Sequence, residues 1–147
     1  WVHKDHWAHA LDSNPREKAS FLTENIQPIQ ELGNLRFLPD DLSITENISA
    51  IVANGHTEKM ICPKINLGDK QLVFMADLIP SVGHIRPNYV MGYDIRPLET
   101  LKDKERLYEK TINSNHFIFF EHDKDIALAE LIKNDKGRVV LGNLARL

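Results

Sequence analysis

Apolar positions along the chain fall into short, strand-length runs punctuated by Gly, Pro, Asn and Asp, with helical spacing in only two places. Ile48–Ala53 alternates well enough to read as a strand and is broken by Asn54-Gly55. Residues 60–67 and 71–76 form two further apolar runs separated by Gly68-Asp69, the signature of a hairpin. Residues 116–120 are apolar without alternation, which predicts a strand buried on both faces. Residues 126–132 and 138–141 flank Asn134-Asp135-Lys136-Gly137 and read as a closing hairpin, and residues 35–38 as one more short strand. Helical spacing first occurs in Ala19, Leu22, Ile26 and Ile29, with Asp12-Ser13-Asn14 capping a helix that starts at Pro15. Pro28 kinks or ends this helix and Gly33 stops it. The second helix spans residues 99–113, with Leu101, Leu107, Tyr108 and Ile112 on its apolar side. Between residues 78 and 97 lies a long irregular segment with three prolines and two glycines, and loops of that length are usually functional. These elements predict an α/β or α+β fold built on a mixed sheet.

Composition narrows the classes. At 147 residues the chain suffices for one domain with a modest core. Its 42% hydrophobic and 27% charged residues are ordinary for a soluble protein. The net charge of -3, with no basic stripe, argues against nucleic acid as a partner. No apolar stretch is long enough for a transmembrane helix. The single Cys62 excludes an internal disulfide and a cysteine zinc cluster. The N-terminus has neither an initiator Met nor a targeting segment, so the reading is a chain with sequence missing upstream, cytoplasmic rather than secreted.

Three polar groups stand at ends of predicted strands: His56, Asp77 and His122. Strand ends let side chains distant in sequence converge. Two imidazoles and a carboxylate are a ligand set for zinc, iron or manganese, and the two carboxylate oxygens can bridge two cations. Taken singly, each has a plain structural use as a turn cap or a strand-end hydrogen bonder.

Taken in order, Gly55-His56-Thr57, Phe74-Met75-Ala76-Asp77-Leu78 and Glu121-His122-Asp123 resemble the later motifs of the metallo-β-lactamase superfamily. The 21-residue step from His56 to Asp77 and the 45-residue step from Asp77 to His122 suit its lactonase branch. The loop from Pro80 to Asp94 is similar to that of the N-acyl-homoserine lactonases and their relatives. The resemblance implies the C-terminal half of a four-layer αβ/βα fold, a mixed sheet flanked by helices. It implies that His56 binds a first metal, Asp77 bridges both and His122 binds the second, the metals being divalent and zinc the first choice. The implied reaction is hydrolysis of a small ester, lactone or amide by water activated between the cations. Asp123 is the candidate to orient a ligand imidazole, while His84 and Tyr93 in the long loop are candidates for the substrate pocket. Where lactonases place a tyrosine three residues after the bridging aspartate this chain has Pro80, so that role does not transfer.

The superfamily's opening His-x-His-x-Asp-His motif is absent. Residues 1–6 match only its second half through His3, Asp5 and His6, with Trp1 at the first histidine position. Residues 1–14 read instead as a short strand and turn leading into the first helix. Without that motif neither cation has a complete shell. The chain by itself is therefore expected to bind metal weakly and hydrolyse nothing, whereas a longer product does both. A second copy, or an N-terminal half, is the expected partner. Two other readings remain open on the sequence: an iron-dependent redox member of the superfamily, and a non-enzymatic half-domain.

Overall fold

The computed structural model describes residues 1–112 and 114–145. After α1 (Lys4–Leu11) and α2 (Thr23–Glu31), the chain builds β1 (Ser43–Thr45), β2 (Ile48–Ala53), β3 (Met60–Leu67) and β4 (Lys70–Phe74) as successive antiparallel neighbours. The Gly68-Asp69 turn joining β3 to β4 uses a φ of 79° at Gly68, where a β-carbon would be strained. α3 (Pro97–Thr111) then carries the chain across the sheet, so β5 (His116–Phe119) lies parallel to β4. β6 (Leu128–Lys133) and β7 (Val139–Ala145) close the edge as the expected hairpin around Asn134–Gly137. The result is a seven-stranded mixed sheet in sequence order whose one parallel pair is β4–β5.

The core lies on one face of that sheet. Cys62, Val73, Ile118 and Ala129 point to it and are covered by Leu78, Ile79, Ile85, Leu107 and Tyr108. Burial pushes the Cys62 thiol up to about 12, which keeps it an inert packing group. The opposite face carries Ile65, Leu72, Phe74, Phe117 and Phe119 in register, with the Phe74 and Phe119 rings stacked 5.4 Å apart, and these side chains remain half-buried. The two-sided burial expected for residues 116–120 is therefore corrected to burial of alternate residues: α3 and the loop before it cover one side of β5, and the described residues leave the other thinly covered.

Four further expectations change. Within residues 1–14, Lys4–Leu11 form a helix where a strand and turn were expected, because the His3 ring caps the Asp5 amide and Trp7 and Ala10 find cover; only Val2 makes a strand-like bridge, to Phe37. That bridge is all that residues 35–38 contribute. The first long helix does not start at Pro15: the Asn14 carbonyl side chain accepts from the Arg16 and Glu17 amides in a local turn, and the helix begins at Thr23 and runs through Pro28. α3 buries a face that is mostly polar, Thr100, Asp103, Lys104 and Thr111 beside Leu107 and Tyr108, while Leu101 and Ile112 are only half-buried. The expected end of α3 at Asn113 lies outside the described residues. No helix among those residues is long and apolar enough to cross a membrane.

Candidate metal centre

Strand direction brings the three sequence-predicted donors together. β2, β4 and β5 all run the same way, since β3 is antiparallel to both β2 and β4 while β5 is parallel to β4. Their C-terminal ends therefore share one edge, the place where open α/β sheets bind ligands. His56, Asp77 and His122 each stand three residues beyond the last residue of β2, β4 and β5, respectively. The Phe74↔Phe119 pairing puts Asp77 and His122 at matching depth. After β4 the chain turns sharply through Ala76, whose φ of 44° costs a non-glycine residue about 1–2 kcal/mol, and Asp77 rides on the resulting 3-10 turn.

The Asp77 carboxylate sits between the two rings. His56 Nε2 is 3.4 Å from Oδ2, and His122 Nε2 is 3.5 Å from Oδ1. Two donors each about 2.1 Å from a tetrahedral cation stand about 3.4 Å apart, so each His–Asp pair has the spacing of neighbouring ligands on one ion. Each oxygen faces a different ring, as a bridging carboxylate requires. The donor chemistry thus fits a cation on either side of Asp77. Among the described residues, however, no cluster of three or more His, Cys, Asp or Glu groups is arranged to hold an ion by itself. The pairs fit; a full shell is not present.

His56 is the more firmly held ring. Its Nδ1 lies 3.0 Å from Asp94 Oδ1, and the other Asp94 oxygen accepts from Thr100 Oγ1 at 2.9 Å. A carboxylate only accepts, so Nδ1 carries the proton in the neutral ring, which leaves the Nε2 lone pair for a cation on the Asp77 side. Burial would lower the His56 pKa, but the Asp94 hydrogen bond and the charges of Asp77, Asp94 and Glu17 outweigh it and raise the pKa above the usual 6.5. The turn leading to His56 is shaped from below: Asp103 Oδ2 accepts from the Asn54 and Gly55 amides at 2.7 and 2.9 Å. Gly55 is required there, because a β-carbon would stand 2.1 Å from Thr100 Oγ1 and 2.3 Å from its backbone nitrogen.

His122 is held through its backbone, which donates to the Pro80 carbonyl at 2.9 Å, and its ring is 60% exposed. Asp123, expected to orient an imidazole, instead accepts from the Val82, Asp125 and Ile126 amides. Burial opposes ionisation of Asp123 but those amides hold its pKa below the usual value. The orienting position belongs to Asp94. Nothing in the sequence marked it except its place in the long loop, because the contact joins residues 38 apart.

A cleft of about 480 Å³ opens on His56, Asp77 and His122 and is walled by Arg16, Phe21, Met91 and Tyr93 among others. His84 lines an adjoining cleft of about 360 Å³ together with Tyr93 and His122. Both pocket candidates thus border His122, with Tyr93 exposed and the His84 Nδ1 bonded to Ser81 Oγ at 2.9 Å. The wall at residues 16–21 went unnoticed in the sequence. It is anchored by Glu17, buried among Thr57, His9 and Asn14, and by Arg16, which donates to the Gly92 carbonyl. His3 and His6 serve locally: His3 caps α1 and the His6 ring meets the Glu58 carbonyl.

No family model matches the sequence, and no curated protein does. Solved structures similar to this chain in fold include a probable metal-dependent hydrolase, a β-lactamase-superfamily hydrolase and N-acyl homoserine lactonases. A probable metal-dependent hydrolase from Staphylococcus aureus superposes with a TM-score of 0.82 at 20% identity, over 99% of this chain and 52% of its own. The hydrolase AbOPH of the β-lactamase superfamily gives 0.77 at 18%, over 99% and 55%. AidC, a dizinc quorum-quenching lactonase in complex with a homoserine product, gives 0.70 at 19%, over 98% and 50%. This chain spans about half the length of the structures it matches.

Proposed function

We propose that the protein is part of a metal-dependent hydrolase that cleaves a small ester, lactone or amide, with His56, Asp77 and His122 as ligands to a pair of divalent cations. The observation that carries this reading is the Asp77 carboxylate flanked by two imidazole nitrogens at 3.4 and 3.5 Å, one per oxygen. It is supported by neighbours that are metal-dependent hydrolases and, in one case, a dizinc lactonase. When bound, such cations polarise a carbonyl and make nearby water acidic. The chain's own residues do the rest. Asp94 fixes the His56 tautomer, Asp77 sets the distance between the two rings, and the cleft bounded by Phe21, Met91 and Tyr93 offers a largely apolar wall for an acyl group. Three donors are fewer than two catalytic cations need, so this reading requires further ligands besides His56, Asp77 and His122. Zinc is the first choice for this donor set, though iron and manganese accept it too.

The test is hydrolysis of a p-nitrophenyl ester and of an N-acyl-homoserine lactone, with and without added zinc. It is run on residues 1–147 and on a longer product of the same gene. Zinc-dependent turnover by the longer product, abolished by Asp77→Asn, with little by residues 1–147, is the expected result. Turnover untouched by chelator or by the substitution would refute the proposal.

A further inference from the structure

The buried polar face of α3 poses a question that metal ligation leaves open. Lys104 is fully buried and donates from Nζ to the His84 carbonyl at 2.8 Å and to the Tyr89 carbonyl at 2.6 Å. Among the described residues no carboxylate lies within ion-pair distance of it. An ammonium taken out of water with only neutral acceptors is unfavourable for stability, and a methionine would fill the same space without that cost. Burial accordingly lowers the Lys104 pKa to about 8, against the raising effect of the Asp94 charge.

The acceptors explain what the cation does. Residues 79–96 have no regular structure beyond the 3-10 turn Val82–His84. Lys104 grips that segment at two carbonyls five residues apart, and Tyr108, one turn further along α3, donates to the Ile85 carbonyl between them. The gripped stretch leads directly into Met91 and Tyr93, which wall the cleft beside His122, and His84 walls the adjoining one. Thr100 and Asp103 on the same face hold Asp94 and the turn before His56. The helix thus ties down both the turn before His56 and the loop that walls the cleft.

We infer that Lys104 is a positioning residue: its ammonium pins the loop 84–93 and so sets the wall of the substrate cleft. The kinetic part of the inference rests on the hydrolase reading above; the structural part does not. The charged or titratable groups that bear on the site are Asp94 and His84 from the loop, Tyr108 and Asp103 from α3. The burial that lowers His84, helped by the Lys104 charge, and raises Tyr108 separates their titrations from that of Lys104.

The decisive experiment follows the carbonyl ¹³C shifts of His84 and Tyr89 and the Lys104 Cε shift in residues 1–147 from about pH 7 to about pH 10, a range that spans a lowered lysine. All three should move with one shared midpoint near 8. Carbonyl shifts that stay flat while Lys104 titrates, or that follow another group, would overturn the inference. In a hydrolytically active form, Lys104→Met should raise KM by about tenfold, as a displaced wall does, with kcat changed far less, and Lys104→Arg should recover part of it. Equal losses in kcat and KM for both variants would contradict a positioning role. If the unmutated protein turns nothing over, the hydrolase reading fails while the shift titration still decides the inference; if Lys104→Met does not fold, the titration again decides it.

Discussion

At the scale of single residues, the site depends on how His56 is held. Asp94 fixes its tautomer and is itself held by Thr100, so it governs both ring orientation and proton affinity. Partners of this kind typically contribute 10–100-fold to metal affinity. Asp94→Asn is therefore expected to weaken zinc binding by about that factor with the circular dichroism spectrum unchanged, as measured by calorimetric titration. The same contact sets a pH dependence in the metal-free protein. The folded His56 pKa lies above the unfolded 6.5, so the folded state holds the proton more tightly. The stabilisation is complete below pH 6.5 and is lost as pH rises through the raised folded value. Denaturant midpoints should show this fall with rising pH, and Asp94→Asn should flatten it; an unchanged slope in the variant would sink the assignment. Metal binding needs the neutral ring, so zinc uptake should release a proton and strengthen over the same rise in pH.

At the scale of elements, the strands were readable and the helices less so. Alternation and the turn residues Gly68-Asp69 and Asn134–Gly137 set β2 to β4, β6 and β7 because these signals are local. The meeting of His56, Asp77 and His122 was readable for the same reason: each follows a strand by three residues. What local pattern could not give was the polar buried face of α3, since Thr100, Asp103 and Lys104 are buried only because loops distant in sequence offer them partners. The imidazole contact expected of Asp123 is made by Asp94 on the same account; both are loop aspartates, and only the folded path decides which one meets a ring. The helix at residues 4–11 was hidden because its cap is a histidine rather than a standard capping residue. The packing of α3 under the His56 turn gives a stringent prediction. Gly55→Ala drives a methyl into the Thr100 backbone, where a rigid helix start cannot yield, and should cost about 3 kcal/mol or more by denaturant unfolding. A cost below about 1 kcal/mol would mean that α3 does not press on this turn.

At the scale of the whole molecule, one face of the sheet is a core and the other is a half-buried apolar stripe of Ile65, Leu72, Phe74, Phe117 and Phe119. The expected partners, a second copy or another half of a longer protein, would both gain by covering it. Residues 1–147 should accordingly self-associate as concentration rises in sedimentation velocity, and Phe117→Gln should suppress this. A sharp monomer boundary at all concentrations would argue that the stripe needs no cover.

The central claim is that side chains from three strand ends meet on shared cations. Zinc titration of the protein, followed through the ¹⁵N resonances of the imidazoles, tests it most directly. Saturable shifts at the Nε2 atoms of His56 and His122, both lost in Asp77→Asn, are predicted. Zinc-independent spectra at these two rings, or shifts that persist in the Asp77 variant, would contradict it.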